Sequence, residues 1–546
     1  MPDPTPPAPN APDQVGILID GRPVVVTKGA TVLQAAETIG LEIPHYCYHP
    51  GLSIAGNCRM CLVEIEKMPK LQIGCATVAS QGMVVQSTTE RVRRTREGIM
   101  EFLLINHPLD CPICDQAGEC RLQQYEAAYG AGFSRFTEEK VHFPKRVALG
   151  RHVVFDAERC IKCTCCIRFC DEVSGSHELG LFQRGDHSII GTFPGRPLDD
   201  AYSGCTVDVC PVGALTLKEF RFKARVWFLK DVPSVCGGCA RGCSVNLATY
   251  RNAIHRITPR VNMDVNRHWI CDAGRLSHRA LDERPRFESP RVRPAPGAGP
   301  AGGGPPPDVA HDRGIDAAAD LLRAVKERAG AGGLAALVSA RLTVEDLRLA
   351  VRALAETIGI PRLAVPPHEE GEDDHLLIRK DRTPNVRGAA LVGPGAPHAG
   401  RVREILDDVT AGRVKGLVVV GEDPVGEGLL AAEAVRSLQA LVVIDWWRSP
   451  TVEAAHVAIP SCGYGEFEGV FVSFEGRAQR ARAALKPRGH VDPVWRILQD
   501  LGHRFGLAAT YPSASAVFDE VAASVPAFAG LSYRALGSLG AALKVT

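Results

Sequence analysis

The chain has 546 residues, 19 cysteines and a formal net charge of +1, from 63 basic and 62 acidic side chains. A hydrophobic content of 45% and a charged content of 23% exclude wholesale disorder, and the length suggests about three to five domains. The even charge leaves no electrostatic footprint for nucleic acid or anionic lipid. No apolar run is long enough to cross a membrane, and MPDPTPPAPNAPDQ lacks the basic and apolar regions of a secretory signal.

Residues 1–14 read as a disordered tail. VGILID, an Asp20-Gly21 turn and PVVVT then read as a hairpin, and Thr31 as the N-cap of a helix over 32–39 that Gly40 ends. CLVEIE, the stretch around Leu71–Cys75 and MVVQ add short strands, so 15–92 is expected to be a small sheet with one helix. RVRRTREGIMEFLLIN is expected to be helical and to stop before His107-Pro108, opening a segment over 93–148. Cysteine-rich units follow over 149–228 and 229–285. Residues 294–307 contain only Pro, Gly and Ala, so 286–310 reads as a linker and as the main domain boundary. Beyond it, helical patterns (316–329, 343–357) alternate with GLVVVG and ALVVID, which implies α/β structure around a parallel sheet over 311–546. The fold class is multidomain, α+β followed by α/β.

Eighteen of the 19 cysteines lie between Cys47 and Cys271. An odd count without a visible signal peptide argues against a disulfide framework and for metal or redox sites. The first group is Cys47, Cys58, Cys61 and Cys75, set among the expected strands. Four thiolates suit a [2Fe–2S] cluster, although the first gap is longer than in plant-type ferredoxins. A zinc site or four buried apolar thiols are the alternatives. The second group, Cys111, Cys114 and Cys120, needs a fourth ligand, and His107 is the nearest candidate. As a neutral ligand it would raise a cluster's potential, but a histidine before proline is also a common structural residue.

The third group, Cys160, Cys163, Cys166 and Cys170, has the bacterial ferredoxin spacing, in which the fourth Cys serves another cluster. Cys210-Pro211 then completes the first three. The partners Cys170 would need fall at Asp200, Ser203 and Thr206, so a second ferredoxin cluster looks lost. The fourth group is Cys236, Cys239, Cys243 and Cys271, suited to a [4Fe–4S] cluster or a zinc knuckle. Four clusters thus use fifteen cysteines and His107, leaving Cys165, Cys170, Cys205 and Cys462 as small buried side chains.

Together, HYCYHPGLSIAGNCRMCLVEIE, HPLDCPICDQAGECRLQQY, RCIKCTCCIRFC, SGCTVDVCPVGAL and CGGCARGCSVNL with WICDAGR resemble the large iron–sulfur subunit family of respiratory complex I, the NADH-quinone oxidoreductase. The resemblance covers roughly 15–285. It implies a β-grasp ferredoxin-like domain with a [2Fe–2S] centre, then [4Fe–4S] domains, with His107 as a ligand and a third [4Fe–4S] centre at the fourth group. VVVGEDP, VAIPSCGYGEFEGVFVSFEGRAQRA and DPVWRIL more weakly resemble the molybdopterin-oxidoreductase-like domain of the same family, here short and expected to hold no molybdopterin. The GEDP turn could cradle a phosphate, but a structural turn is favoured.

The resemblance implies an electron conduit without a catalytic site of its own. It would carry electrons from a flavin- and NADH-binding subunit toward quinone-module subunits, on the cytoplasmic side of a membrane it does not itself enter. The rival readings are a molybdenum enzyme such as an NAD-linked formate dehydrogenase, against which stand the short second half and Asp272 after Cys271, and a zinc scaffold. An iron-only hydrogenase would need further cysteines after 285, where only Cys462 remains.

Overall fold

The computed structural model describes residues 6–9, 11–293 and 307–544, and the chain forms two compact units, 1–229 and 230–546.

In the first unit, β1 (Gln14–Ile19) and β2 (Arg22–Thr27) form the expected hairpin, with Asp20 and Gly21 both at positive φ as a two-residue turn requires. Thr31 caps the helix Val32–Thr38 through a reciprocal capping box with Gln34. β3 (Leu62–Ile65), β4 (Gln72–Ile73) and β5 (Val84–Gln86) complete a sheet of order β2-β1-β5-β3-β4. Its apolar face buries Ile17, Ile19, Val24, Leu33, Val63 and Val85, each worth about 1.5–3 kcal/mol.

The helix Glu90–Leu104 ends before His107-Pro108, as expected. β6 (Val147–Ala148), β7 (Val153–Phe155), the hairpin β8 (Leu179–Phe182) and β9 (Ile189–Thr192), and β10 (Leu215–Leu217) frame the cysteine-rich remainder.

The expectation of a disordered tail over 1–14 needs correction for its described part. Gln14 already pairs with Thr27, and the Pro7 carbonyl accepts from the Gln81 side chain at 3.2 Å. Residues 1–5 and 10 lie outside the described residues.

In the second unit, β11 (Lys230–Val235), β12 (Ser244–Tyr250) and β13 (Ala253–Pro259) form an antiparallel sheet. β14 (Arg291–Val292), β15 (Leu334–Val338), β16 (Leu363–Ala364), β17 (Gly416–Val420), β18 (Ala440–Asp445) and β19 (Val457–Pro460) build a six-stranded sheet of order β14-β19-β18-β17-β15-β16. It is parallel except at β14. Alternate residues feed two cores. Ala336, Val418 and Val442 face one, and Ala335, Leu417 and Leu441 the other, which is why these strands read as unbroken apolar runs. β20 (Gly469–Val472), β21 (Arg477–Ala481) and β22 (Ala541–Ala542) form a small third sheet.

The Pro/Gly segment is not the principal boundary, which falls at Leu229/Lys230. Residues 230–293 are stitched into the unit that follows. β14 pairs with β19, Arg286 makes a two-pronged ion pair with Glu466 (2.7 and 2.7 Å), and the Ser244 hydroxyl donates to Gln479 at 2.6 Å. Residues 286–293 are therefore structured rather than linker, while 294–306 lie outside the described residues.

Candidate metal centres

The first cysteine group sits on loops around β3 and β4. Cys47, Cys61 and Cys75 are buried and Cys58 half-buried. The Tyr46 N–H donates to Cys58 Sγ at 3.5 Å. The four thiols converge in two hydrogen-bonded pairs. The hydrogen bond from Cys58 lowers Cys47 and that from Cys75 lowers Cys61, while Cys58 and Cys75 are raised in turn. One thiol of each pair is thus shifted toward the thiolate, the form that binds metal.

The second group lies on an irregular loop before the helix Arg121–Tyr129, with Cys120 at its N-cap. Cys114 and Cys120 are buried and Cys111 exposed. Asp110 ties the loop down, accepting from Arg159 Nη2 and Lys145 Nζ, each at 2.8 Å, and Arg225 donates to the Cys114 carbonyl at 2.6 Å. Burial, with the charges of Arg159 and Lys140, pushes the His107 imidazole down to about 4. The ring is therefore neutral at ordinary pH, which keeps a lone pair for a metal. Arg159 acts on both His107 and Cys114.

Cys160, Cys163, Cys166 and Cys210 line one small cavity, among Phe155, Ile190 and Leu215. Lys162 and Thr164 both adopt positive φ, 54° and 63°, which curls the loop around that cavity at a cost of about 1–3 kcal/mol each. Burial raises Cys160, Cys166 and Cys210, the last to about 12, and a hydrogen bond with Cys165, together with burial, raises Cys163. Four soft donors in an apolar cavity fit a thiolate-ligated cluster, whose binding would release those protons. Cys170 points elsewhere, toward Asp200 and Ser176. Asp200 accepts from Ser174 at 2.9 Å and the Thr206 hydroxyl donates to the Ser203 carbonyl at 2.7 Å, so these polar groups are used locally.

In the second unit, Cys236 follows β11, Cys239 and Cys243 lie in the turn to β12, and Cys271 caps the helix Asp272–Leu276, accepting from the Gly274 N–H at 3.3 Å. All four are buried and within electrostatic reach of one another. Burial raises Cys271 to about 11. Asp272 is buried beside Arg275, 4.0 Å away.

Several supporting residues escape sequence reasoning. Tyr46 and Tyr125 stack edge-on at 5.3 Å between the first group's loop and the second group's helix. Arg168 donates to the Cys47 carbonyl at 2.7 Å and to Cys165 Sγ at 3.3 Å. A Cβ on Gly213 would lie 2.2 Å from Cys114 Sγ. A glycine shortly after Cys-Pro was the one local hint of such a close approach.

Comparison with known families matches these regions one by one. Residues 12–90 match the 2Fe-2S iron-sulfur cluster binding domain, and 96–135 the NADH-ubiquinone oxidoreductase-G iron-sulfur binding region. Residues 150–216 match the ferredoxin-like domain of NADH-quinone oxidoreductase subunit 3. In the second unit, 229–282 match the molybdopterin oxidoreductase Fe4S4 domain and 402–504 molybdopterin oxidoreductase.

The mitochondrial NADH dehydrogenase [ubiquinone] iron-sulfur protein 1 of Solanum tuberosum is 47% identical over 289 residues, 53% of this chain and 39% of that protein. The G-type subunit of NADH-quinone oxidoreductase from Rickettsia felis is 46% identical over 275 residues, 50% of this chain and 41% of that protein. A solved NAD+-reducing [NiFe]-hydrogenase in the H2-reduced state aligns at 31% identity and TM-score 0.35, covering 39% of this chain and 91% of that one. The matches span about two-fifths of the length of the curated relatives. Over its first half, then, the chain is similar to the large iron–sulfur subunit of NADH-quinone oxidoreductase, and two regions of its second unit match molybdopterin-oxidoreductase models.

Proposed function

We propose that this chain is an iron–sulfur electron relay of an NADH-quinone oxidoreductase. It would hold a [2Fe–2S] cluster on Cys47, Cys58, Cys61 and Cys75. Three [4Fe–4S] clusters would sit on His107 with Cys111, Cys114 and Cys120, on Cys160, Cys163, Cys166 and Cys210, and on Cys236, Cys239, Cys243 and Cys271. The observation that carries the reading is the cavity lined by Cys160, Cys163, Cys166 and Cys210, an all-thiol set closed by a residue far along the chain. Bound clusters would take up and release single electrons.

The protein's own part is physical. Phe155, Ile190 and Leu215 give the third set an apolar lining, and a neutral His107 would favour a higher potential than a fourth thiolate. The named activity of the relatives suggests the ends of the path, a flavin- and NADH-binding subunit on one side and quinone-module subunits on the other. Attachment to the cytoplasmic side of a membrane would run through such partners, since no described helix is long and apolar enough to cross one. The molybdopterin-oxidoreductase part is proposed to act without its cofactor.

Metal analysis with EPR on one purified sample tests this. About fourteen iron atoms per chain and a reducible spectrum are expected. A colourless zinc protein, or one molybdenum per chain, would overturn it.

A further inference from the structure

The parallel sheet of the second unit has strand order β16-β15-β17-β18-β19, so the chain reverses direction between β15 and β17. Sheets of this kind bind ligands beyond the carboxyl ends of their strands at such a switch point. Gly421, at φ 69°, ends β17 there and passes the chain into Glu422-Asp423-Pro424. A Cβ on Gly421 would come 3.2 Å from that of Ser339, which follows β15. Asp423 is spent on structure, accepting from the Gly426 and Thr451 N–H groups at 3.0 Å and the Thr451 hydroxyl at 2.6 Å.

Glu422 is different. It is 2% exposed, its Oε2 meets His368 Nε2 at 2.8 Å, and its Oε1 is buried with no hydrogen-bond partner among the described residues. Glu427 approaches the same imidazole, its Oε1 3.6 Å from Nδ1. One donor atom from each of His368, Glu422 and Glu427 lies within 4.8 Å of the others.

A phosphate is the ligand expected at this place in a sheet of this class, but the charge here is wrong for one. Glu422, Asp423, Glu427 and Asp445 crowd together, and burial with the first two pushes Asp445 up to about 8. Arg341 and Arg284 act on the cluster from a distance, and Arg284 is stacked on Trp447 at 4.5 Å. A buried carboxylate oxygen without a donor, a second carboxylate and an imidazole make a set that a cation completes.

We propose that His368, Glu422 and Glu427 bind one divalent transition-metal ion, of the Mn2+ or Zn2+ class, at the switch point of the second unit. Two carboxylates balance its charge, an imidazole nitrogen adds a third donor, and the exposed Glu427 side leaves room for water ligands. This site is independent of the iron–sulfur sets and uses no cysteine.

The test is titration of the full, cluster-loaded and oxidised chain with Mn2+, reading the free ion by EPR. The wild type should bind one ion per chain saturably. Glu422→Gln should abolish this. His368→Gln and Glu427→Gln should each weaken it by about tenfold or more, since loss of even an outer-shell partner costs about 10–100-fold. Glu427 is exposed, so its substitution leaves folding intact and keeps the test decisive if Glu422→Gln misfolds. Glu369→Gln, an exposed neighbour paired with Lys380, should change nothing. No saturable uptake below about 1 mM, or uptake unchanged by Glu427→Gln and His368→Gln, would overturn the proposal.

Discussion

The approach of Gly213 to Cys114 offers the sharpest test of the second ligand set. Gly213→Ala adds one methyl group, whose carbon would fall 2.2 Å from Cys114 Sγ and 3.1 Å from Gln116 Cβ. Real contacts of this type stay above 3.0 Å, so at least 0.8 Å must open. Metal–ligand distances tolerate only about 0.2 Å. If the sulfur rotates away, Cys114 ceases to be a ligand. If the backbone moves instead, the strain passes to the chain just after Cys210, in the third set. Overpacking of one methyl costs about 1–3 kcal/mol, too little to unfold a domain by itself. The expected outcome is a folded protein that has lost about four of the roughly fourteen iron atoms proposed for it, and with them the EPR signal of the proposed His107-ligated centre. The [2Fe–2S] signal should persist. Full iron with all signals and potentials unchanged would refute the assignment of Cys114 as a ligand held against Gly213.

Gly274→Ala places a Cβ 2.9 Å from Cys236 Sγ and 3.4 Å from Cys271 Sγ. It should remove or destabilise the fourth centre alone, and an iron count equal to wild type would contradict this. His107→Cys replaces a neutral ligand by a thiolate, so the second centre should survive with a potential lower by on the order of 100 mV. A redox titration showing no shift would argue against His107 as ligand. Glu345 is fully buried, accepts from Tyr533 at 2.8 Å and from the Val470 N–H at 2.9 Å, and burial raises its carboxyl to about 8. Its folded state holds the proton more tightly than the unfolded chain. Its contribution to stability is therefore complete below the ordinary carboxyl range and lost as pH rises toward 8. Melting curves from pH 5 to pH 8 should fall more steeply for wild type than for Glu345→Gln, and parallel slopes would exclude the effect.

Much of the local structure was legible because each signal is short-range. The Asp20-Gly21 turn, the Thr31 cap and the stop at His107-Pro108 act within a few residues, and the strands appear where expected. The proposed cysteine sets rest on the same kind of signal, since short spacing limits which thiols can come together. Cys210 is suggested at long range only by the ferredoxin pattern; in the structure it lines one cavity with Cys160, Cys163 and Cys166. What stayed hidden depends on strand order. His368 and Glu422 are 54 residues apart and meet because β15 lies between β16 and β17. The unit boundary was misread because composition marks a Pro/Gly segment but not the contacts that bridge it. β14 and the Arg286–Glu466 pair join the chain before that segment to the chain after it.

The proposed ligand loops pose a mechanical problem, because irregular loops are usually the mobile part of a fold and a relay needs fixed sites. Here the loops of one set are braced by residues of another. Arg168, on the short helix Cys165–Phe169 of the third group, donates to the Cys47 carbonyl at 2.7 Å and also reaches the Ser53 carbonyl, so it clamps the first group's loop. The Cys165 thiol faces the carbonyls of Tyr46 and Cys47 at 3.6 and 3.7 Å. That gives a cysteine outside the proposed ligand sets a reason to be buried. Arg159, beside Cys160, fixes the second group's loop through Asp110, and Arg225 holds the Pro112 and Cys114 carbonyls. Charged hydrogen bonds to backbone carbonyls are worth about 1.5–3 kcal/mol and are directional. They stiffen the loops without spending a cysteine. The rigidity of the three sets in the first unit is therefore shared, and a substitution in one loop should be felt first in the set it braces.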